Sequence, residues 1–171
     1  REAEQQLALE RALRDLERTS RLHPKERRVV FVGTIYFGDN VKYAWLAMRE
    51  AAQAAGIDCW FLPQHAQQEA QVRTIDARCL PARHADWTGE HLHLALSAAV
   101  VVTSDHFLNP NPYAAALLAG ARHVQLWHGV SIKEIGLRNL GNAAPLAHMS
   151  PRFAKVLATC GPYASLVGTA A

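Results

Sequence analysis

At 171 residues the chain has the length of one ordinary domain, enough to bury a hydrophobic core. Half of it is hydrophobic and 19% is charged, which excludes the disordered and membrane-spanning classes. Its 18 basic residues against 15 acidic ones leave +3, too mild an excess to point to nucleic acid and compatible with an anionic substrate or a membrane surface.

The first segment, Glu2 to Thr19, sets Leu9, Leu13 and Leu16 on one face among glutamates and arginines, an amphipathic helix. Its polar face is mixed in sign, which suits a lead-in helix packed on the body better than one lying on a membrane. His23-Pro24-Lys25-Glu26 breaks the pattern, so residues 1–24 are expected as helix and linker and 25–171 as the main domain. Arg28 to Gly33 (RVVFVG) is a β-branched run of the kind buried on both faces. Val41, Ala44, Trp45, Met48, Ala52 and Ala55 then recur at helical steps, with Asn40 expected as N-cap and Gly56 as the residue that stops the helix.

Asp58 to Pro63 reads as a second strand, and 67–83 stays open, with a helix and a short strand around Arg78-Cys79-Leu80 as one solution. Leu92 to Ala98 reads as helix, Ala99 to Thr103 (AVVVT) as strand, and Pro112 to Ala119 as a short helix closed by Gly120. His123 to Trp127 (HVQLW) and Val156 to Cys160 are the last expected strands, with a short helix from Pro162. Strands alternating with helices imply βαβ crossovers and an α/β fold on a doubly wound parallel sheet of about five to seven strands, with RVVFVG, AVVVT and HVQLW central.

Several features carry less than their residue types suggest. The three cysteines, Cys59, Cys79 and Cys160, each lie in or beside apolar runs without C-x-x-C spacing, as buried thiols in a reducing cytoplasm do. His91 and His93 lack companions at ligand spacing, so no metal is expected. Ser104-Asp105-His106 holds the residue types of a hydrolytic triad, but three adjacent residues do not converge on one point. Gly33 and Gly38 do not complete a dinucleotide fingerprint, and no cofactor is expected. Trp45, Trp60 and Trp87 read as packing aromatics rather than base-stacking platforms, in keeping with no nucleic-acid partner.

In an open parallel sheet, ligands gather beyond the carboxyl ends of the strands. The segments to inspect are therefore 33–40, 104–111 and 128–136. Within the last, His128 follows a strand end and precedes Gly129, which lets a ligand approach the backbone, and Lys133 adds positive charge. By spacing alone His128 is equally a structural histidine with a satisfied hydrogen bond.

The run Trp127-His128-Gly129-Val130-Ser131-Ile132-Lys133-Glu134-Ile135-Gly136 resembles the W-H-G-T-P-x-K-x-x-G signature of the CDP-glycerol glycerophosphotransferases, which build teichoic acids and related polymers. Upstream, Gly38-Asp39-Asn40-Val41-Lys42-Tyr43 is similar to the D-N-x-K segment of the same family. Val130-Ser131 stands where the family has Thr-Pro. The resemblance implies a Rossmann-like domain that forms the first, acceptor-side lobe of a two-lobed GT-B architecture, with the nucleotide of a CDP-activated donor held mainly by the second lobe. It implies transfer of glycerol phosphate, or a related polyol-phosphate or glycosyl unit, to a hydroxyl of a polyol-phosphate or glycan polymer. His128 would be the catalytic base, with Asp39, Asn40, Lys42, Gly129, Ser131 and Lys133 binding substrate.

The chain begins at Arg1 without methionine and stops in a small-residue run, so it is expected to be one lobe of a longer protein, inactive by itself. No run reaches the roughly 18 apolar residues of a membrane span, and the expected location is cytoplasmic, with peripheral contact at the inner face of the membrane. The competing reading is a non-catalytic module that binds a phosphorylated polymer or nucleotide.

Overall fold

The computed structural model describes residues 1–34, 37–104, 111–126 and 153–156. Its centre is a parallel sheet of five strands: β1 (Glu26–Val32), β2 (Asp58–Leu62), β3 (Ala98–Thr103), β4 (Arg122–Gln125) and β5 (Phe153–Val156), in the order β2-β1-β3-β4-β5. Five helices accompany it among the described residues: α1 (Glu2–Leu22), α2 (Asp39–Ala54), α3 (Ala66–Arg73), α4 (Gly89–Leu96) and α5 (Pro112–Leu118).

The alternation in β1 decides how the layers form. Val30 and Val32 point to one side and join Leu94, Ala95, Leu117 and Leu118 of α4 and α5. Phe31 points to the other and joins Val41 and Trp45 of α2 and Val72 of α3. Both cores are dry: Val30, Phe31 and Trp45 have no exposed surface. The chain leaves β1 in one direction along the sheet through α2, then returns past β1 through α4 and on through α5. Right-handed crossovers that run in opposite directions put their helices on opposite faces, which is why the sheet is covered twice. This is a doubly wound, Rossmann-like α/β domain.

The central strands are those expected: β1, β3 and β4 are all interior. The segment left open, 67–83, holds α3 and a single parallel bridge between Phe61 and Cys79. Gly56 also does what was expected, at φ +68, with its N–H to Gln53 O (3.0 Å) and Ile57 N–H to Ala52 O (2.8 Å) closing α2.

Other expectations shift. α2 starts at Asp39 with Gly38 as its N-cap, so Asn40 lies inside the helix rather than capping it. α4 starts three residues ahead of Leu92 because Thr88 and His91 form a reciprocal capping box, with Thr88 N–H donating to His91 Nδ1 at 3.0 Å. β4 comprises Arg122–Gln125, and Leu126 N–H still donates to Thr103 O at 2.7 Å, while Trp127 lies outside the described residues. The last described strand is β5, which meets the expected Val156–Cys160 only at Val156; 157–160 and the helix expected from Pro162 lie outside the described residues. β5 pairs in parallel with β4 through Val124 opposite Lys155.

Candidate functional site

The strand order places a topological switch point between β1 and β3: connections leave these neighbours toward opposite edges, which opens a crevice at their carboxyl ends. The described residues that border this edge are Gly33, Thr34 and Phe37–Asp39 after β1, Ser104 after β3 and Leu126 after β4. The ends of β1 and β4 are two strand spacings apart, roughly 10 Å, so chemistry contributed by the two can meet over one ligand.

After β1 the chain is pinned before it enters α2. Gln64 Nε2 donates to Gly33 O at 2.7 Å, and the fully buried Gln68 donates from Nε2 to Thr34 O at 3.0 Å. Phe37 then drops onto the core in a T-shaped contact with Phe61, centroids 5.7 Å apart, and against Trp45. Asp39 follows at φ +66, a left-handed conformation that aspartate tolerates better than most residues and that tends to occur where a site constrains the backbone.

The first turn of α2 is already furnished with acceptors. Asn40 N–H donates to Asp39 Oδ1 at 2.7 Å, and Val41 N–H donates to Ser104 Oγ at 3.1 Å. Ser104 is fully buried and caps α2 from the end of β3, which ties the two walls of the switch point together. These two amides are therefore committed internally. What α2 offers the crevice is its dipole, the exposed Asn40 and the half-buried Lys42, whose Nζ lies 4.7 Å from the centre of the Phe37 ring.

The structure thus gathers Asp39, Asn40 and Lys42 on one side of the crevice. His128, Gly129, Ser131 and Lys133 lie outside the described residues. Immediately before them in sequence, Gln125 is fully buried at the end of β4, and neither atom of its amide has a hydrogen-bond partner among the described residues.

Sequence reasoning missed Ser104, Gln64, Gln68 and Gln125. Ser104 was met as the first residue of the 104–111 segment and as a member of an implausible triad, without its capping role. The available signal was position: each is a polar residue within or just past the expected carboxyl end of an apolar strand, or a turn beyond it. The histidines that looked like a pair do separate work, His91 in the α4 cap and His93 Nε2 at 3.0 Å from Glu26 Oε1. The three described tryptophans pack: Trp60 Nε1 donates to Asp58 Oδ2 (2.7 Å), Trp87 Nε1 to Pro81 O (2.8 Å), and Trp45 fills the core. Among the described residues no three His, Cys, Asp or Glu side chains group as metal ligands, and no helix is long and apolar enough to cross a membrane.

No protein-family model matches this chain, and no curated protein matches it either.

Proposed function

We propose that this chain is the acceptor-side lobe of a GT-B-type transferase that moves glycerol phosphate, or a related polyol-phosphate or glycosyl unit, from a CDP-activated donor to a polymer hydroxyl. The observation that carries the reading is the switch-point crevice. The segment Asp39–Lys42, similar to one family motif, borders it, and the chain enters the other motif, Trp127 to Gly136, straight from β4, two strand spacings away.

In this reading the terminal hydroxyl of the polymer attacks the donor phosphorus that bears glycerol. A new P–O bond forms, the bond to the bridging oxygen breaks, and CMP leaves. His128 takes the hydroxyl proton, while Lys42, Lys133 and the α2 dipole offset charge on the phosphate oxygens. Gly129 lets the substrate approach the backbone, and Asp39, Asn40 and Ser131 bind acceptor hydroxyls. A second lobe holds the nucleotide, so this chain alone should not turn over CDP-glycerol. Such an enzyme works in the cytoplasm, peripherally at the inner face of the membrane where its polymer grows.

The test is His128→Ala in the protein that carries both lobes. Removal of a general base should lower transfer by about 10² to 10⁴ with Tm and donor affinity almost unchanged. Near-normal turnover, or loss only through unfolding, would return His128 to a structural role and favour the non-catalytic binding module.

A further inference from the structure

Away from the β1–β3 crevice, but on the same carboxyl edge of the sheet, lies an open cleft of about 460 Å³, inside the roughly 300–1,000 Å³ range of small-ligand sites. Gln64 beyond β2 forms one wall, the Ala82–Ala85 turn a second, and Asn111–Tyr113 at the start of α5 a third. We propose that this cleft binds the polyol-phosphate chain of the acceptor, an assignment that rests on the transferase reading for its biological role but not for its chemistry.

The cleft is held in shape by bonds to rigid elements. Ala82 N–H donates to Glu69 Oε2 of α3 at 2.8 Å, and Trp87 Nε1 to Pro81 O at 2.8 Å. Gln64 N–H donates to the buried Gln68 Oε1 at 2.8 Å, and its own amide holds the Gly33 carbonyl, so this wall is mechanically continuous with the loop that leads to Asp39. A ligand therefore meets a surface that is already organised.

Its lining selects the ligand class. His84 and Tyr113 stack on each other at 4.7 Å and 21°, so one face of each ring is taken. What they offer is a carbon surface with polar edges, suited to the CH and OH groups of a polyol. Arg83 is 75% exposed and its nearest carboxylate, Asp86, stands at 3.8 Å, leaving most of the guanidinium fork to water. The remaining walls are small, Ala82, Ala85 and Pro112, and no acidic residue is among the described lining. Hydroxyls on carbon, with phosphate on the Arg83 guanidinium, suit this described lining.

The experiment titrates the chain with a short poly(glycerol phosphate) oligomer, with glycerol and inorganic phosphate as separate arms. Ring-proton NMR signals of His84 and Tyr113 report binding, assigned by their loss in His84→Asn and Tyr113→Leu. The oligomer should shift both sets saturably and more tightly than either small probe. Arg83→Gln should weaken it by about tenfold or more, the usual loss when a charge-assisted hydrogen bond is removed, with Arg83→Lys between. These side chains are exposed, so an unchanged Tm is expected and is checked for each variant. Unmoved signals, wild-type affinity in Arg83→Gln and Tyr113→Leu, or equal binding of inorganic phosphate would overturn the proposal. In the two-lobed protein, transfer with an unaltered primer KM in Arg83→Gln sinks the cleft alone. Oligomer binding without any transfer from CDP-glycerol sinks the transferase reading alone.

Discussion

Asp76 shows how much one carboxylate can organise in this chain. It accepts from Arg78 Nη2 at 2.7 Å and from the Arg78 backbone N–H at 2.9 Å, and Arg49 Nη1 stands at 3.7 Å. The Arg78 guanidinium hydrogen bond above all holds the Asp76 carboxyl below the usual carboxylate range, against the opposing effect of burial. A carboxyl depressed in the folded state favours folding above its unfolded value near pH 4, and that contribution fades as the pH falls through the folded value. Asp76→Asn should therefore cost about 1–3 kcal/mol at neutral pH and progressively less in acid, as read by urea unfolding across pH. A gap that stayed constant into strong acid would contradict the assignment. None of this was legible in the sequence, where Asp76, Arg78 and Arg49 are three unremarked charges. The pairing depends on α2 passing over the turn after α3. The same holds for Lys25, which the sequence shows as one of several basic residues. Its Nζ donates to Ser20 O (2.7 Å) and Leu96 O (2.6 Å), and burial lowers its pKa.

The joint between α1 and α5 is the clearest case at the level of elements. Ser20 is completely buried; its hydroxyl donates to Leu117 O and accepts Gly120 N–H at 2.9 Å. A side chain at Gly120 would overlap the Ser20 carbonyl backbone, so glycine here is required by close approach. Gly120→Ala should lower stability by about 1–3 kcal/mol through overpacking, whereas Gly89→Ala, where added volume meets nothing, should change it by less than ~0.5 kcal/mol. Equal melting curves for the two variants would show that α1 is not seated on α5 in this way. The sequence showed α1 by its leucine spacing and α2 by its period and glycine stop, because both signals are local. It missed the true start of α4, since a histidine completing a capping box is outside the usual Glu or Gln pattern. It also assigned the cap of α2 to Asn40, because the capping hydroxyl comes from Ser104, 63 positions away.

Over the whole molecule, the core on the α2–α3 face of the sheet encloses both described cysteines. Cys59 and Cys79 are free and are 0% and 1% exposed, and burial pushes the Cys79 thiol up to about 12 and raises that of Cys59. Alkylation needs both access and thiolate. Iodoacetamide at about pH 8, where a free cysteine is partly ionised, should leave both unmodified in the folded chain and modify both in urea, with peptide mass spectrometry as the readout. Ready native labelling of Cys79 would mean that the α2–α3 core opens far more easily than its packing implies.

The amino-acid sequence alone determined the α/β class and the three interior strands. Continuous β-branched runs can only be satisfied inside a sheet covered on both faces, and helices between them force parallel crossovers. Which strands lie side by side was decided by tertiary structure alone. The order β2-β1-β3-β4-β5 follows from the reversal of winding after β2, and no residue within a strand encodes it by local preference. That reversal creates the crevice between β1 and β3, brings Ser104 to the first turn of α2 and leaves the Gln125 amide buried at the end of β4. Local pattern is a matter of side-chain period; the site is a matter of which strand ends become neighbours, and that is settled by the packing of the two cores together.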